Sequence, residues 1–121
     1  QVRGIRRISP EFSYWRGAIR VKDRINRPNI TAVIPEYGPM RNIWWQPGGR
    51  WFNDLDIKQR RRVIFLGNNL SDFLFGKNST TVGKYVYLNN IPFLVVGVLR
   101  KKIQNSVYNQ RDADRAFIPI T

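Results

Sequence analysis

The amino-acid sequence predicts an α+β fold: a mixed or antiparallel sheet with a β-hairpin at 83–100 and two or three short helices. Three observations predict it. Val82–Leu99 reads as two apolar strands around Asn89-Asn90, side chains that tolerate the positive φ of a tight hairpin turn. Two or three brief stretches carry helical spacing or cap residues, closed by Gly or Pro or by a run of cations. Finally, 121 residues with 42% hydrophobic content suffice for one domain with one core.

In chain order, Gly4–Ser9 reads as a short strand ending at Pro10. Phe12–Val21 continues as a strand, with Phe12, Tyr14 and Ala18 on one side and Ser13, Trp15, Gly17 and Ile19 on the other. The alternation is imperfect, and either face is a candidate for burial. Lys22–Asn29 is polar, contains Pro28 and reads as a turn. Ile30–Ile34 is a strand stopped by Pro35.

Glu36–Trp45 reads as a helix, because Tyr37, Met40, Ile43 and Trp44 fall on one stripe and Pro39 fits its first turn. Pro47-Gly48-Gly49 ends it, and Arg50, Trp51 and Phe52 form an extended link. Asn53 is a suitable N-cap, with Asp54 and Asp56 as dipole partners in the first turn and cations at 58–62 near the other end. Val63–Leu66 is a buried strand closed by Gly67. Asn68 or Asn69 caps a helix to Phe75, with Leu70, Phe73 and Leu74 on one face and Gly76 following.

In the hairpin, Tyr85–Leu88 suits a pleated surface. Pro92 belongs at the start of the return strand, and Phe93–Leu99 is apolar enough to be covered on both faces. Arg100–Asp114 reads as a polar loop, and Ala116–Ile120 as the last strand.

Composition narrows the function. Lys plus Arg number 21 against 8 Asp plus Glu, a net charge of +13 that favours anionic partners. Cysteine and histidine are absent, which removes disulfides, thiolate metal sites, His-dependent triads and the usual near-neutral general base. The apolar run Phe93–Val96 falls far short of the ~20 residues that span a bilayer. No signal-peptide pattern opens the chain, and strand-like residues near both ends make it expected to be one soluble fragment, residues 1–121, of a longer protein.

Gly83-Lys84 invites comparison with a phosphate loop. However, Tyr85 replaces the Ser or Thr, Asn78 replaces the first Gly, and a strand follows where a helix should. Asp112 and Asp114 lie between Arg111 and Arg115, which reads as a solvated, self-neutralising loop rather than a metal site. Basic clusters at 3–7, 16–27, 60–62 and 100–102, with Trp15, Trp44, Trp45 and Trp51 between them, suggest an alternative: a basic nucleic-acid-binding module that stacks bases. No helix carries a basic stripe to support it.

Several segments recur in a telling order. Pro35-Glu36-Tyr37 leads into Arg41-Asn42-Ile43, and Gly49-Arg50-Trp51-Phe52 precedes Asp54 and Asp56. Arg62–Gly67 is a basic-Val-apolar-Gly strand, and Leu74-Phe75 closes the next helix. Val82-Gly83-Lys84 opens the hairpin, Ile91–Leu99 forms its return strand, and Phe117-Ile118-Pro119 follows. In this order they resemble the extracytoplasmic core domain of MacB-type ABC transporter permeases. Thr81, where that family often has Pro, and Asn89-Asn90, in place of a Gly-containing turn, depart from the pattern.

The resemblance implies a non-catalytic periplasmic part of an inner-membrane permease that transmits ATPase-driven motion. It implies no cofactor in this chain, the ATP being used by a separate or fused cytoplasmic ATPase. The implied partners are the membrane-embedded remainder of the permease, the ABC ATPase and a periplasmic adaptor or cargo, in a dimeric transporter without nucleic acid. The implied roles are efflux, lipoprotein release or cell-wall regulation. Gly49, Arg50, Phe52, Gly67, Gly83, Pro92, Phe93 and Gly97 match the family's structural signature. Trp44, Trp45, Arg111 and Asp112 are the expected partner contacts.

Overall fold

Strands that are apolar on both faces need cover on both faces, and the fold supplies it. The computed structural model describes residues 11–77, 80–100 and 112–120, with side chains described from residue 17 onward. Its elements are β1 (Glu11–Arg16), β2 (Ile19–Val21), β3 (Arg24–Asn26), β4 (Asn29–Val33), α1 (Tyr37–Met40), α2 (Asp54–Lys58), β5 (Val63–Leu66), α3 (Asn68–Phe75), β6 (Tyr85–Leu88), β7 (Ile91–Val98) and β8 (Ala116–Pro119). The eight strands form one sheet in the order β1-β4-β8-β5-β7-β6-β2-β3. The pairs β4–β8 and β5–β7 are parallel, and the other five are antiparallel. The sheet is mixed and mostly antiparallel, with a few short helices, as the sequence predicts.

Alternation along the central strands feeds two cores. Ile64 and Leu66 of β5 join Ile19, Ile30, Val86, Val95 and Ala116 on one face, where Leu70 and Leu74 of α3 cover them. Val63 and Phe65 join Val96 and Phe117 on the other, covered by Tyr37, Ile43, Trp51 and Phe52 from the long β4–β5 connection. The hairpin forms as predicted. Tyr85 pairs with Leu94 and Leu88 with Ile91, and Asn89 and Asn90 sit at φ 50° and 70°. The Asn89 side-chain carbonyl accepts from the Ala18 amide at 3.0 Å, while its own amide donates to the Ala18 carbonyl at 2.9 Å. The turn is thereby tied to the entry of β2.

Several expectations need correction. The strand expected over Phe12–Val21 is two strands on opposite sides of the sheet: β1 pairs with β4, and β2 with β3 and β6. The expected turn Lys22–Asn29 contains β3, because Lys22 at φ 56° makes a tight hairpin whose return strand is too polar to be read as one. The helix expected over Glu36–Trp45 is a single turn. Asn42 at φ 60° breaks it, so Ile43 turns inward while Met40 and Trp44 are exposed. Gly67, rather than Asn68 or Asn69, is the N-cap of α3, and Phe73 is 43% exposed rather than part of the buried stripe. The expected strand Gly4–Ser9 lies outside the described residues, as does most of the expected loop Arg100–Asp114.

Candidate functional site

The β4–β5 connection builds the most distinctive surface. After Asn42 the chain runs beside the half of β7 that β6 leaves unpaired. The Gln46 amide donates to the Val98 carbonyl at 2.9 Å, and the Arg50 amide donates to the Val96 carbonyl at 2.8 Å. The Arg100 amide donates to the Trp44 carbonyl at 2.9 Å, beside a Trp45–Leu99 bridge. Close approach here requires Gly97, since a Cβ would lie 2.3 Å from the Arg50 carbonyl oxygen and 2.7 Å from the Phe65 ring. Gly97 also follows the bulge between the Ile64–Val95 and Phe65–Gly97 pairs. Gly67 permits a second approach: a Cβ would lie 2.3 Å from the Asp112 and Ala113 carbonyl oxygens.

Between α1 and this segment lies a cleft of about 720 Å³, lined mainly by Pro35, Pro39, Ile43, Trp44, Trp45 and Trp51. Trp51 anchors its base. Its indole N–H donates to the Pro35 carbonyl at 2.8 Å, and its ring packs 4.7 Å from Phe52 and 4.8 Å from Phe65. The rings of Trp44 and Trp45 lie 5.7 Å apart, tilted at 44° to each other, with Trp44 47% exposed. A concave apolar surface of this size with an exposed indole suits an apolar guest.

Two buried carboxylates hold the walls. Asn53 and Asp56 form a capping box at the start of α2: the Asp56 amide donates to the Asn53 side chain at 3.0 Å, and the Asn53 amide donates to the Asp56 carboxylate at 2.9 Å. Arg50 binds the same carboxylate through two nitrogens at 2.8 and 3.1 Å, and Arg61 adds a contact at 3.3 Å. Burial by itself raises the Asp56 pKa. Hydrogen bonds from Arg50, the Asn53 amide and Arg61, with the charge of Arg50, outweigh it and hold the carboxyl below its ordinary 3.8. Asp56 is therefore more than a dipole partner.

Asp112 is the second such group. Arg41 binds it at 3.0 and 3.2 Å, and Arg115 lies 3.9 Å away. At 1% exposure it does not belong to the solvated loop expected from sequence, and it is not at a contact surface. Arg111 lies outside the described residues.

Of the expected signature residues, Gly49, Arg50, Phe52 and Gly97 come together at the joint between the connection and β7. Gly67 supports the Asp112 segment, while Gly83, Pro92 and Phe93 lie in or beside the hairpin. Lys84 does not shape a phosphate loop: its ammonium sits 5.5 Å from the Phe75 ring centre, and β6 follows. Thr81, one of the departures, shares a buried 3.0 Å hydrogen bond with Ser71 of α3.

The MacB-like periplasmic core domain profile matches residues 1–121. The chain belongs to this family. It is similar to the macrolide export ATP-binding/permease protein MacB of Rhodospirillum rubrum, with 29% identity over all of this chain and 18% of that protein. MacB of Azoarcus sp. shows 32% identity over 85% of this chain and 15% of the relative. The pyoverdine export ATP-binding/permease protein PvdT of Pseudomonas syringae shows 37% identity over 49% of this chain and 9% of the relative. The chain thus spans less than a fifth of these relatives.

Two solved structures share the fold. The periplasmic region of MacB from Actinobacillus actinomycetemcomitans aligns with a TM-score of 0.73 at 21% identity, over 91% of this chain and 46% of that one. The extracellular domain of the transporter YknZ aligns at 0.72 and 20% identity, over 88% of this chain and 51% of that one. As a MacB-like periplasmic core domain, the chain is a non-catalytic, extracytoplasmic portion of an ABC permease. Among the described residues, no group of three or more His, Cys, Asp or Glu is placed to hold a metal, and no helix is long and apolar enough to cross a membrane.

Proposed function

We propose that residues 1–121, as a fragment of the core domain of a dimeric transporter, carry ATPase-driven motion from the membrane-embedded permease to a periplasmic adaptor. The adaptor docks in the tryptophan cleft through an apolar side chain. The observation that carries this reading is the anchoring of the 34–62 connection. Backbone hydrogen bonds from Gln46 and Arg50 to β7, and from the Leu94 amide to the Arg62 carbonyl, tie its middle and end to the sheet, and the buried Asp56 cluster cross-links its second half, so the cleft moves with the sheet as one body. Gly49, Arg50, Phe52 and Gly97 form that joint, and Trp44 and Trp45 make the contact. The named relatives export a macrolide and pyoverdine, which supports small-molecule efflux over lipoprotein release or cell-wall regulation.

The test is a chimera in which this chain replaces the matching region of the Rhodospirillum MacB, reconstituted with its adaptor. The expected result is that basal ATP hydrolysis is retained, while Trp44→Ala with Trp45→Ala lowers adaptor affinity and adaptor-dependent export at least about tenfold. Unchanged adaptor affinity would remove the cleft from the interface. Full export after deletion of the whole region would overturn the transmission role.

A further inference from the structure

A second cleft, of about 530 Å³, lies where the β3–β4 turn, α3 and the residues before β8 meet. Its chemistry is unlike that of the tryptophan cleft. Three carboxamides line it, those of Asn26, Asn29 and Asn69, together with the Asp114 carboxylate and the guanidinium groups of Arg27 and Arg115. Phe73 is on the same lining and is 43% exposed. That exposure is what the buried-stripe reading of α3 fails to explain, since Leu70 and Leu74 already supply the buried face.

Two of the polar groups are held in place. The Asn69 side-chain amide donates to the Asp114 carboxylate at 3.0 Å, joining α3 to the segment before β8. The Asn29 carbonyl oxygen accepts from the buried Thr31 hydroxyl at 2.7 Å, which fixes its orientation and leaves its NH₂ donors for other partners.

We infer that this cleft binds a pyranose-containing glycan. Sugar hydroxyls each donate and accept. Carboxamides and a carboxylate present the planar donor and acceptor pairs that meet vicinal hydroxyls two at a time. A pyranose also has an apolar C–H face, which an exposed phenyl ring such as Phe73 can cover. The volume lies within the range of small-ligand sites. A phosphate or other small anion fits less well, because Asp114 adds a negative charge on the same lining and Arg115 is already beside Asp112. This inference does not depend on the adaptor reading, and its failure would leave that reading untouched.

The test is amide chemical-shift titration of the 121-residue chain with chitotriose, maltotriose and inorganic phosphate in separate arms. The two sugars distinguish an N-acetylated glycan from a plain glucan. At least one is expected to shift the amides of Asn26, Asn29, Asn69 and Phe73 at millimolar concentration. Phe73→Ala should weaken that binding about tenfold, whereas Tyr85→Ala, which removes an exposed ring on β6 outside the cleft, should leave it unchanged. Thermal melts confirm that both variants fold. No shift with either sugar at 10-fold higher concentration would overturn the proposal. So would equal losses in the two variants, or phosphate shifting these amides while the sugars do not.

Discussion

Asp56 shows how one side chain can organise a stretch that has little regular structure. It closes a helix cap and accepts from Arg50 and Arg61 while fully buried, so its removal strands two cations and an amide together. Asp56→Ala is expected to cost about 3 kcal/mol, toward the lower end for a broken buried pair because both arginines are partly solvated. The pH dependence has a definite sign. The folded-state pKa lies below 3.8, so the unfolded chain takes up the proton first as the pH falls. The stabilisation is present above the ordinary carboxylate range and is lost as the pH drops through 3.8 toward the lower folded value. Urea midpoints measured between pH 6 and pH 3 should fall less steeply for Asp56→Asn than for the parent chain. Parallel slopes would show that Asp56 does not titrate in this way. Asn53 was legible in the sequence as an N-cap and Asp56 as a dipole partner; the reciprocal capping bond and the burial were not, because the burial depends on Arg50 and Arg61 folding back over the carboxylate.

At the level of elements, what sequence could show followed the range of the interaction. The hairpin was legible because its signals are local: apolar strands, Asn89-Asn90 at the turn, and Pro92 opening the return. The burial of β5 and the capping of α2 were legible for the same reason. The split of Phe12–Val21 was not, since β1 and β2 differ in partners that come from distant parts of the chain. Nor was the Arg41–Asp112 pair, whose members are 71 residues apart. In the candidate site, Trp44 and Trp45 were read as part of a helix that in the structure ends at Met40, so their place beside the cleft was not legible. The inward turn of Ile43 was set by Asn42 at φ 60°, which no periodicity reveals. The hairpin turn offers a test of a local signal with a distant role. Asn89 holds a left-handed conformation and also bonds Ala18, so Asn89→Ala should cost about 1.5 kcal/mol. Asn90→Gly keeps the turn geometry and makes no such bond, so it should stay within about 0.5 kcal/mol. Chemical denaturation of both variants checks this, and equal losses would mean that the Ala18 tie contributes nothing.

For the whole molecule, the charge of +13 is the property most easily misread. Four of the 21 basic side chains, Arg41, Arg50, Arg61 and Arg115, lie against the buried carboxylates Asp56 and Asp112. The aromatic half of a stacking surface is reduced as well. Trp51 is buried with its indole bonded to Pro35, which leaves Trp44 as the strongly exposed indole among the described tryptophan side chains. A single-strand binder needs successive rings along a cationic track. Among the described residues Trp44 and Trp45 make a single pair and no such run, and scattered charges stop cooperating beyond a Debye length of ~8 Å at about 0.15 M salt. Fluorescence anisotropy with single- and double-stranded oligonucleotides at two salt levels is therefore expected to show only nonspecific binding. At physiological salt that binding should be no tighter than roughly 10⁻⁴–10⁻⁶ M. At lower salt it should strengthen, because each neutralised phosphate releases counterions. Changing Trp44 and Trp45 to Ala should leave this binding unaltered while weakening the adaptor. Nanomolar affinity that survives physiological salt and vanishes in that double variant would instead mean that the cleft stacks bases.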